Sequence, residues 1–203
     1  MATPTATAPR PPFRPQGIIG AIREVIKRPR VPDDEITGII GPPDFLTGCE
    51  VTGDLAALVG GDPARLTLRA RIAVDEGNRQ LQVRDLPPTV DIDWAYGNVS
   101  NGARVYAEAK KDPGGNWGPG LPLEDVRAFF SDDSDLFVCS AAPGASLERL
   151  RDQVAQIEGV FTTMEVALPR PLPDMVRQWV AAHEGEDLLA SLTALEEAIN
   201  RHP

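Results

Sequence analysis

Residues 65–74, RLTLRARIAV, constrain the possible folds of this chain more than any other segment. Apolar residues alternate there with polar ones, among them Arg65, Arg69 and Arg71. A period of two is typical of a β-strand with one buried face and one solvent face. After the turn DEGN the alternation resumes, and Arg84 lies on its polar side. The sequence therefore predicts an antiparallel hairpin over 65–86 whose exposed side carries arginines.

The arginine-bearing side of this predicted hairpin has two interpretations. A charged solvent face protects a sheet from pairing with other chains and requires no ligand. Arginines also make the sequence-independent phosphate contacts of DNA-binding proteins. The candidate DNA-binding residues are then Arg65, Arg69, Arg71 and Arg84, with Lys110 and Lys111 as a second cationic position.

The remaining segments predict an α+β fold with a largely antiparallel sheet flanked by helices. Residues 1–15 contain five prolines and no apolar periodicity, which is typical of a disordered arm. Helices are predicted from Gln16 to Pro29, over 33–40, and over LEDVRAFF and SLERLRDQVAQIEGV, and further strands over ARVYAEAKK, LFVCS and VFTTMEVAL. We expect one domain over 16–168, followed by a helical segment over 169–203.

The stretch GPPDFLTG predicts a change of chain direction. Two prolines cannot continue the preceding helix, and Gly48 permits a backbone turn that other residues resist. A phosphate-binding loop would need several glycines and a cation, which PPDFLTG does not supply. We interpret the stretch as a structural corner formed by Pro43, Asp44, Phe45, Thr47 and Gly48, with Asp44 and Thr47 bonding nearby backbone.

Composition limits the functions that remain. A formal net charge of −10 argues against a surface that binds nucleic acid throughout, so any DNA contact requires a local patch. Cys49 and Cys139 form no CxxC pair, and neither histidine lies near them, so the sequence predicts no metal site and no cofactor. No long apolar run is present, and we expect a cytoplasmic protein that does not enter membranes.

The order of these segments is similar to that of a known family. The passages IIGAIREVIKRPRVPDDEITGIIGPPDFLTG, RLTLRARIAV, QLQVRDLPP and VYAEAKK resemble the tower, or shoulder, region of the A subunit of bacterial DNA gyrase and topoisomerase IV, the type IIA topoisomerases. In that family the corner contains proline where Leu46 stands here. The resemblance is good over Gln16 to Pro88 and fainter beyond.

The resemblance implies a module without catalysis. The family cleaves DNA with a tyrosine in a winged-helix domain that precedes the tower, and only residues 1–15 precede the resemblance in this sequence. Neither Tyr96 nor Tyr106 matches the setting of that nucleophile. We therefore expect a protein that is not an enzyme, requires no cofactor, and binds duplex DNA or a gyrase or topoisomerase subunit to modulate DNA topology.

The second hypothesis is a module that binds another protein and does not bind DNA. An acidic module that keeps the tower fold would bind another protein, or a second copy of itself, through the helices of its C-terminal segment. Binding of duplex DNA that weakens steeply with salt distinguishes the first hypothesis from the second.

Overall fold

The computed structural model describes residues 13–45, 47–88, 90–129, 136–184 and 187–201. Within these ranges the chain divides into two compact units. Unit 1 contains residues 47–51 and 67–164, and unit 2 contains residues 13–45, 52–66 and 165–201. The predicted domain over 16–168 therefore includes parts of both units.

The described residues form seven helices and seven strands. The helices are α1 (Pro15–Lys27), α2 (Asp33–Ile40), α3 (Leu55–Gly60), α4 (Ile92–Lys111), α5 (Leu147–Val154), α6 (Leu172–Ala182) and α7 (Leu188–Arg201). The strands are β1 (Glu50–Gly53), β2 (Ala64–Arg69), β3 (Arg71–Asp75), β4 (Gln80–Arg84), β5 (Leu123–Phe129), β6 (Leu136–Ala141) and β7 (Phe161–Val166). The predicted α+β class, with antiparallel pairing and a helical C-terminus, is confirmed.

The predicted N-terminal arm falls mostly outside the described residues, which begin at Phe13. The side chain of Phe13 is buried, and Pro15 is the first residue of α1. Proline is well suited to that position, because its missing N–H would have no partner inside the helix. The helix therefore begins just before the predicted boundary at 16.

Unit 2 is built around α1. Apolar residues recur on this helix at helical spacing, so that Ile19, Ile22 and Val25 are buried on one face. Helices α2, α6 and α7 contact α1. Beside this buried face of α1, Arg23 Nη1 lies 2.7 Å from Glu196 Oε2 of α7 and forms an ion pair with it.

Unit 1 contains a four-stranded antiparallel sheet in the order β3-β4-β6-β5. Its core joins Leu81, Val83 and Phe137 from the sheet to Val99 of α4 and Leu150 of α5. All five side chains are fully buried. Both helices therefore pack on the same face of this sheet.

The other three strands form a second sheet, in the order β1-β2-β7. The predicted single strand over 65–74 is thus wrong, because β2 belongs to this second sheet and β3 to the first. The two strands are separated at Ala70, whose N–H donates to the carbonyl oxygen of Val160 at 2.8 Å. Alternation continues through the break, and therefore it does not mark the change of sheet. Only the β3–β4 part of the predicted hairpin is present.

Two further predicted elements are of the wrong type. ARVYAEAKK is not a strand but the last part of α4, which begins after Asp91, whose side chain accepts from the N–H of Asp93 at 2.7 Å. Alanine, lysine and glutamate favour helices, and Ala95 and Val99 place one apolar face on the core. LEDVRAF is not a helix but β5, because its pairing with β6 outweighs the helical preference of its residues.

Candidate functional site

The β3–β4 hairpin positions two of the predicted DNA-binding residues. In its turn, Asp75 accepts from the backbone N–H of Asn78 at 3.0 Å and from the Asn78 side-chain amide at 2.8 Å. The side-chain hydrogen bond from Asn78 is the main cause that lowers the pKa of Asp75, since it stabilises the charged carboxylate. The turn thus maintains the register in which Arg71 lies directly opposite Arg84.

The four-stranded sheet has a second face, which we call the open face. Its side chains are those that alternate with the buried ones along the strands. They are Arg71, Ala73, Asp75, Gln80, Gln82, Arg84, Asp125, Arg127, Phe129, Leu136, Val138 and Ser140. Since α4 and α5 contribute to the core on the opposite side, no helix of unit 1 covers the open face within the described ranges.

One row of the open face crosses all four strands. The register pairs Arg71 with Arg84, Arg84 with Leu136, and Leu136 with Phe129. Facing side chains on neighbouring antiparallel strands have their Cβ atoms about 5 Å apart. Arg127 lies in the adjacent row, opposite Val138. The row therefore joins two adjacent guanidinium groups to an aromatic ring that is 51% exposed.

Among the described residues, the arginines of the open face have local partners. Arg71 Nε lies 3.8 Å from Asp85 Oδ2, and Arg84 Nη2 donates to Gln82 Oε1 at 2.7 Å. Arg127 Nε donates to Asp125 Oδ2 at 2.5 Å. Exposed ion pairs contribute only about 0–1 kcal/mol to stability, so an incoming anion can replace them at small cost.

The Arg71–Arg84 pair is unfavourable by itself. Like charges directly opposite each other destabilise an antiparallel pair of strands. Both side chains are exposed, so water screens this repulsion in part. An anion bound between the two guanidinium groups would remove the repulsion, which makes this position the centre of the candidate site.

The structure separates the other predicted cations from this position. Arg65 and Arg69 lie on β2, in the second sheet. Lys110 and Lys111 lie at the end of α4, where Lys110 Nζ is 5.3 Å from the centre of the Tyr106 ring and Lys111 Nζ is 2.8 Å from Glu108 Oε1. The six predicted DNA-binding residues therefore lie on four elements, β2, β3, β4 and α4. Of these six, Arg71 and Arg84 are the two that face each other on adjacent strands.

Arg127 is not among the predicted DNA-binding residues, because the residue preferences of LEDVRAFF predict a helix. The alternation of Val126 and Ala128 with Arg127 and Phe129 was the available signal for a strand. It is short, and a bulge between Leu123 and Asp125 interrupts it. The segment thus contributes a cation and an aromatic ring to the open face without a clear sequence pattern.

The predicted corner changes the chain direction between α2 and β1. Pro43 is buried, and Asp44 forms an ion pair with Arg14. Phe45 is half-buried and has a φ of +51°, a value that is uncommon outside glycine. Thr47 Oγ1 accepts from the N–H of Cys49 at 3.4 Å, as expected for local backbone bonding.

Gly48 connects this corner to the candidate site. Its φ is +77°, and a Cβ atom built there would lie 3.3 Å from Cγ of Asp85. Asp85 is the carboxylate that faces Arg71. A glycine at position 48 therefore leaves room for the acidic partner of the Arg71 guanidinium.

The contacts of the two tyrosines, Tyr96 and Tyr106, are typical of packing residues. Tyr96 donates from its hydroxyl to the carbonyl oxygen of Val126 at 3.3 Å, and its ring packs edge-on against Phe137 at 6.5 Å between centroids. Tyr106 lies beneath Lys110. Both aromatic side chains thus have packing or hydrogen-bonding partners within unit 1.

Other chemical groups of the described residues are inert or scattered. Burial raises the pKa of the Cys139 thiol to about 12, which leaves it protonated at neutral pH. No three His, Cys, Asp or Glu side chains in the described part of the chain are grouped so as to hold a metal ion. Among the same residues, no helix combines the length and apolar character that a membrane-spanning segment requires.

Comparisons with known proteins relate the chain to a topoisomerase subunit. No protein-family model matches the sequence. The topoisomerase subunit TopoM of Mycolicibacterium smegmatis is 24% identical to it over 195 residues, which cover 95% of this chain. The chain spans only 25% of the length of that relative. The chain is therefore related in sequence to one part of a topoisomerase subunit.

Proposed function

We propose that this chain is a non-catalytic module that binds DNA through the open face, or binds a topoisomerase, and thereby modulates DNA topology. The observation that carries the proposal is the similarity to a topoisomerase subunit over 95% of the chain. A similarity of that extent includes residues of both units. We expect the protein to act in the cytoplasm, where DNA and topoisomerases meet in bacteria.

The part of the topoisomerase that we propose is the tower region of the A subunit. In support, α1, the acidic helix α2 and the corner follow one another in the order that the resemblance implies. The corner has the positive φ values at Gly41, Phe45 and Gly48 that a sharp change of direction requires. RLTLRARIAV, the next passage of the resemblance, forms β2 and β3, and its RARI stretch lies at the transition between them.

The charge distribution supports a local DNA contact. The chain is acidic overall, with a net charge of −10. The open face nevertheless carries three exposed arginines beside two aspartates, Asp75 and Asp125, and two of the arginines lie directly opposite each other. Contacts to phosphates position a protein on DNA without reading its sequence. We therefore assign the open face, and not the whole surface, to the DNA backbone.

The absence of catalysis is also part of the proposal. A tyrosine that attacks a phosphodiester needs an arginine or a metal ion positioned at the phosphate, and the cation near Tyr106, Lys110, lies over the face of its ring. The hydroxyl of Tyr96 donates a hydrogen bond to the carbonyl oxygen of Val126, and its ring packs against the core. We expect the purified protein neither to relax nor to cleave supercoiled plasmid, and Tyr96→Phe and Tyr106→Phe to leave its binding unchanged. A covalent adduct of either tyrosine with DNA would contradict the proposal.

A second candidate function is the binding of another protein through the C-terminal helices. Trp179 of α6 and Leu189 and Leu195 of α7 are 38%, 45% and 50% exposed. Exposed large apolar side chains can mark a protein interface when they form a patch. The occupant would be a topoisomerase subunit or a second copy of this chain.

A single set of variants separates the two functions. In the open-face variant, Arg71, Arg84 and Arg127 are replaced by Ala. In a control of equal charge change, the exposed Arg30, Arg104 and Arg149 are replaced by Ala. If the DNA function is correct, only the open-face variant loses binding of a labelled DNA in fluorescence anisotropy, and only it loses any effect on plasmid relaxation by purified gyrase or topoisomerase IV.

Salt dependence completes the test. Each lost phosphate contact makes the slope of log affinity against log salt concentration shallower by roughly one unit on duplex DNA. Equal DNA binding by the parent, the control and the open-face variant would contradict the DNA function. If the parent binds no DNA but binds a topoisomerase subunit, and Leu195→Ala weakens that binding, the second function is correct.

A further inference from the structure

We infer that the nucleic acid bound by the open face is single-stranded, with a base stacked on Phe129 and phosphates at Arg71, Arg84 and Arg127. This inference rests on the proposed DNA binding and specifies its substrate. It follows from the position of one exposed aromatic ring in the same row as two arginines.

The first step concerns Phe129. Its side chain is 51% exposed, and it lies on the side of β5 that is opposite to the core residue Val126. A free aromatic face can stack on any base, because every base has a π-face. In duplex DNA the faces of the bases are stacked on their neighbours, so a ring on the surface of a sheet reaches only unpaired bases.

The second step concerns the apolar surface between Phe129 and the arginines, which we call the floor and which is formed by Leu136 and Val138. Leu136 lies between Phe129 and Arg84 in the row, and Val138 lies beside it. Both side chains are half-buried. The row crosses three strand spacings, or about 14 Å. A single strand laid along it can place a base over apolar side chains and its phosphates near guanidinium groups.

The third step concerns the hydrogen-bonding groups beside this floor. Gln80, Gln82 and Ser140 occupy the centre of the open face and are half-buried. Amide and hydroxyl groups both donate and accept, which suits the exposed edges of unpaired bases. Gln82 already accepts from Arg84, so the two side chains can rearrange together around a nucleotide.

The shape of the open face disfavours direct reading of a duplex. The major groove of duplex DNA admits a helix or a two-stranded ribbon. The helices of unit 1 that contact the sheet, α4 and α5, lie on its other side. A broad four-stranded surface with an exposed ring is instead the kind of platform on which single strands stack.

The test compares two labelled DNA probes on the full chain. One is an oligonucleotide of thymines, which forms no duplex, and the other is a perfectly paired hairpin of similar length. We expect the single strand to bind at least tenfold more tightly in fluorescence anisotropy. Its salt slope should become shallower by roughly 0.7 unit for each of the three arginines replaced.

Variants of Phe129 identify the stacking contact. Phe129→Ala should weaken single-strand binding roughly 5- to 100-fold, as expected for loss of one base–aromatic stack. It should leave hairpin binding unchanged. Phe129→Tyr should retain binding, whereas Phe129→Leu, which keeps apolar area without the ring, should not. Trp94→Ala is the control, because Trp94 is a similarly exposed ring on α4, outside the open face. Thermal melting shows whether each variant is folded.

The outcomes are distinct. Tighter binding of the single strand that depends on Phe129 supports the inference. Equal or tighter binding of the hairpin, lost in the triple arginine variant, retains the proposed function and overturns the inference. Binding of neither probe overturns the inference together with the proposed DNA contact, and so does binding of a protein partner that needs Phe129 while no DNA is bound; binding of a topoisomerase subunit would then remain as the second candidate function.

Discussion

Arg71 lies directly opposite Arg84 on the adjacent strands β3 and β4, in a chain with a net charge of −10. Two like charges that face each other on adjacent strands repel, so either removing one of them or binding an anion between them stabilises the sheet. The pair is therefore suited to a comparison of stability with binding.

Arg84→Thr should raise the free energy of unfolding by about 0.2–1 kcal/mol, because it removes a repulsive cross-strand pair and introduces a residue that favours strands. The same change should weaken DNA binding. Urea unfolding measures the first effect and anisotropy the second. Arg127→Thr is the control, since Arg127 faces Val138 and already pairs with Asp125, and it should bring no gain in stability. A loss of stability in Arg84→Thr would contradict this account of the pair.

Leu68 and Arg65 lie on the same strand and should respond differently to truncation. Leu68 is fully buried, so Leu68→Ala should cost about 2–5 kcal/mol of unfolding free energy through lost burial and a cavity. Arg65 is exposed, and Arg65→Ala should change stability by no more than about 0.5 kcal/mol. Both variants are compared by denaturant unfolding. Similar costs for the two would show that the assigned inward and outward sides of β2 are wrong.

Gly48 should be sensitive to the addition of a single methyl group. At a φ of +77°, alanine is strained, and its Cβ would meet Asp85. We expect Gly48→Ala to destabilise the protein by more than about 1 kcal/mol. Gly38 is the matched control, because it lies inside α2 with no atom within 4 Å of a built Cβ. Gly38→Ala should stabilise by about 0.5–1 kcal/mol, as alanine does inside helices. Calorimetric melting of the two variants provides the comparison.

Cys139 should be unreactive in the folded protein. Its pKa is raised to about 12 by burial, from an ordinary value of 9.0. Ionisation is thus easier in the unfolded chain, so this thiol contributes stability below pH 9 and that contribution is lost as the pH rises from about 9 towards 12. In a Cys49→Ala background, a thiol reagent at pH 8 should label Cys139 only after denaturant is added. Rapid labelling of the native protein would contradict the burial of this thiol.

The sequence by itself determined the elements whose pattern is local. The period of two along β2, β3 and β4 identified Leu81 and Val83 as buried and Arg84 as exposed, and the structure confirms all three. Helical spacing identified α1 in the same way. Prolines and Gly48 marked the corner, because they restrict or extend the allowed φ values of their own residues. Each of these effects acts within a few residues.

Only the tertiary structure decided which strands are neighbours. The alternation over 65–74 is continuous, but hydrogen bonding of Ala70 to Val160 separates it into strands of two sheets. As a result Arg69 and Arg71, two residues apart, lie in different sheets, while Arg84 and Arg127 share a face. Segment 123–129 became a strand because β6 was available as a partner, against the preference of its own residues. The open face could not be predicted, since side-chain alternation specifies which residues share one side of a strand and contains no information about the strand beside it.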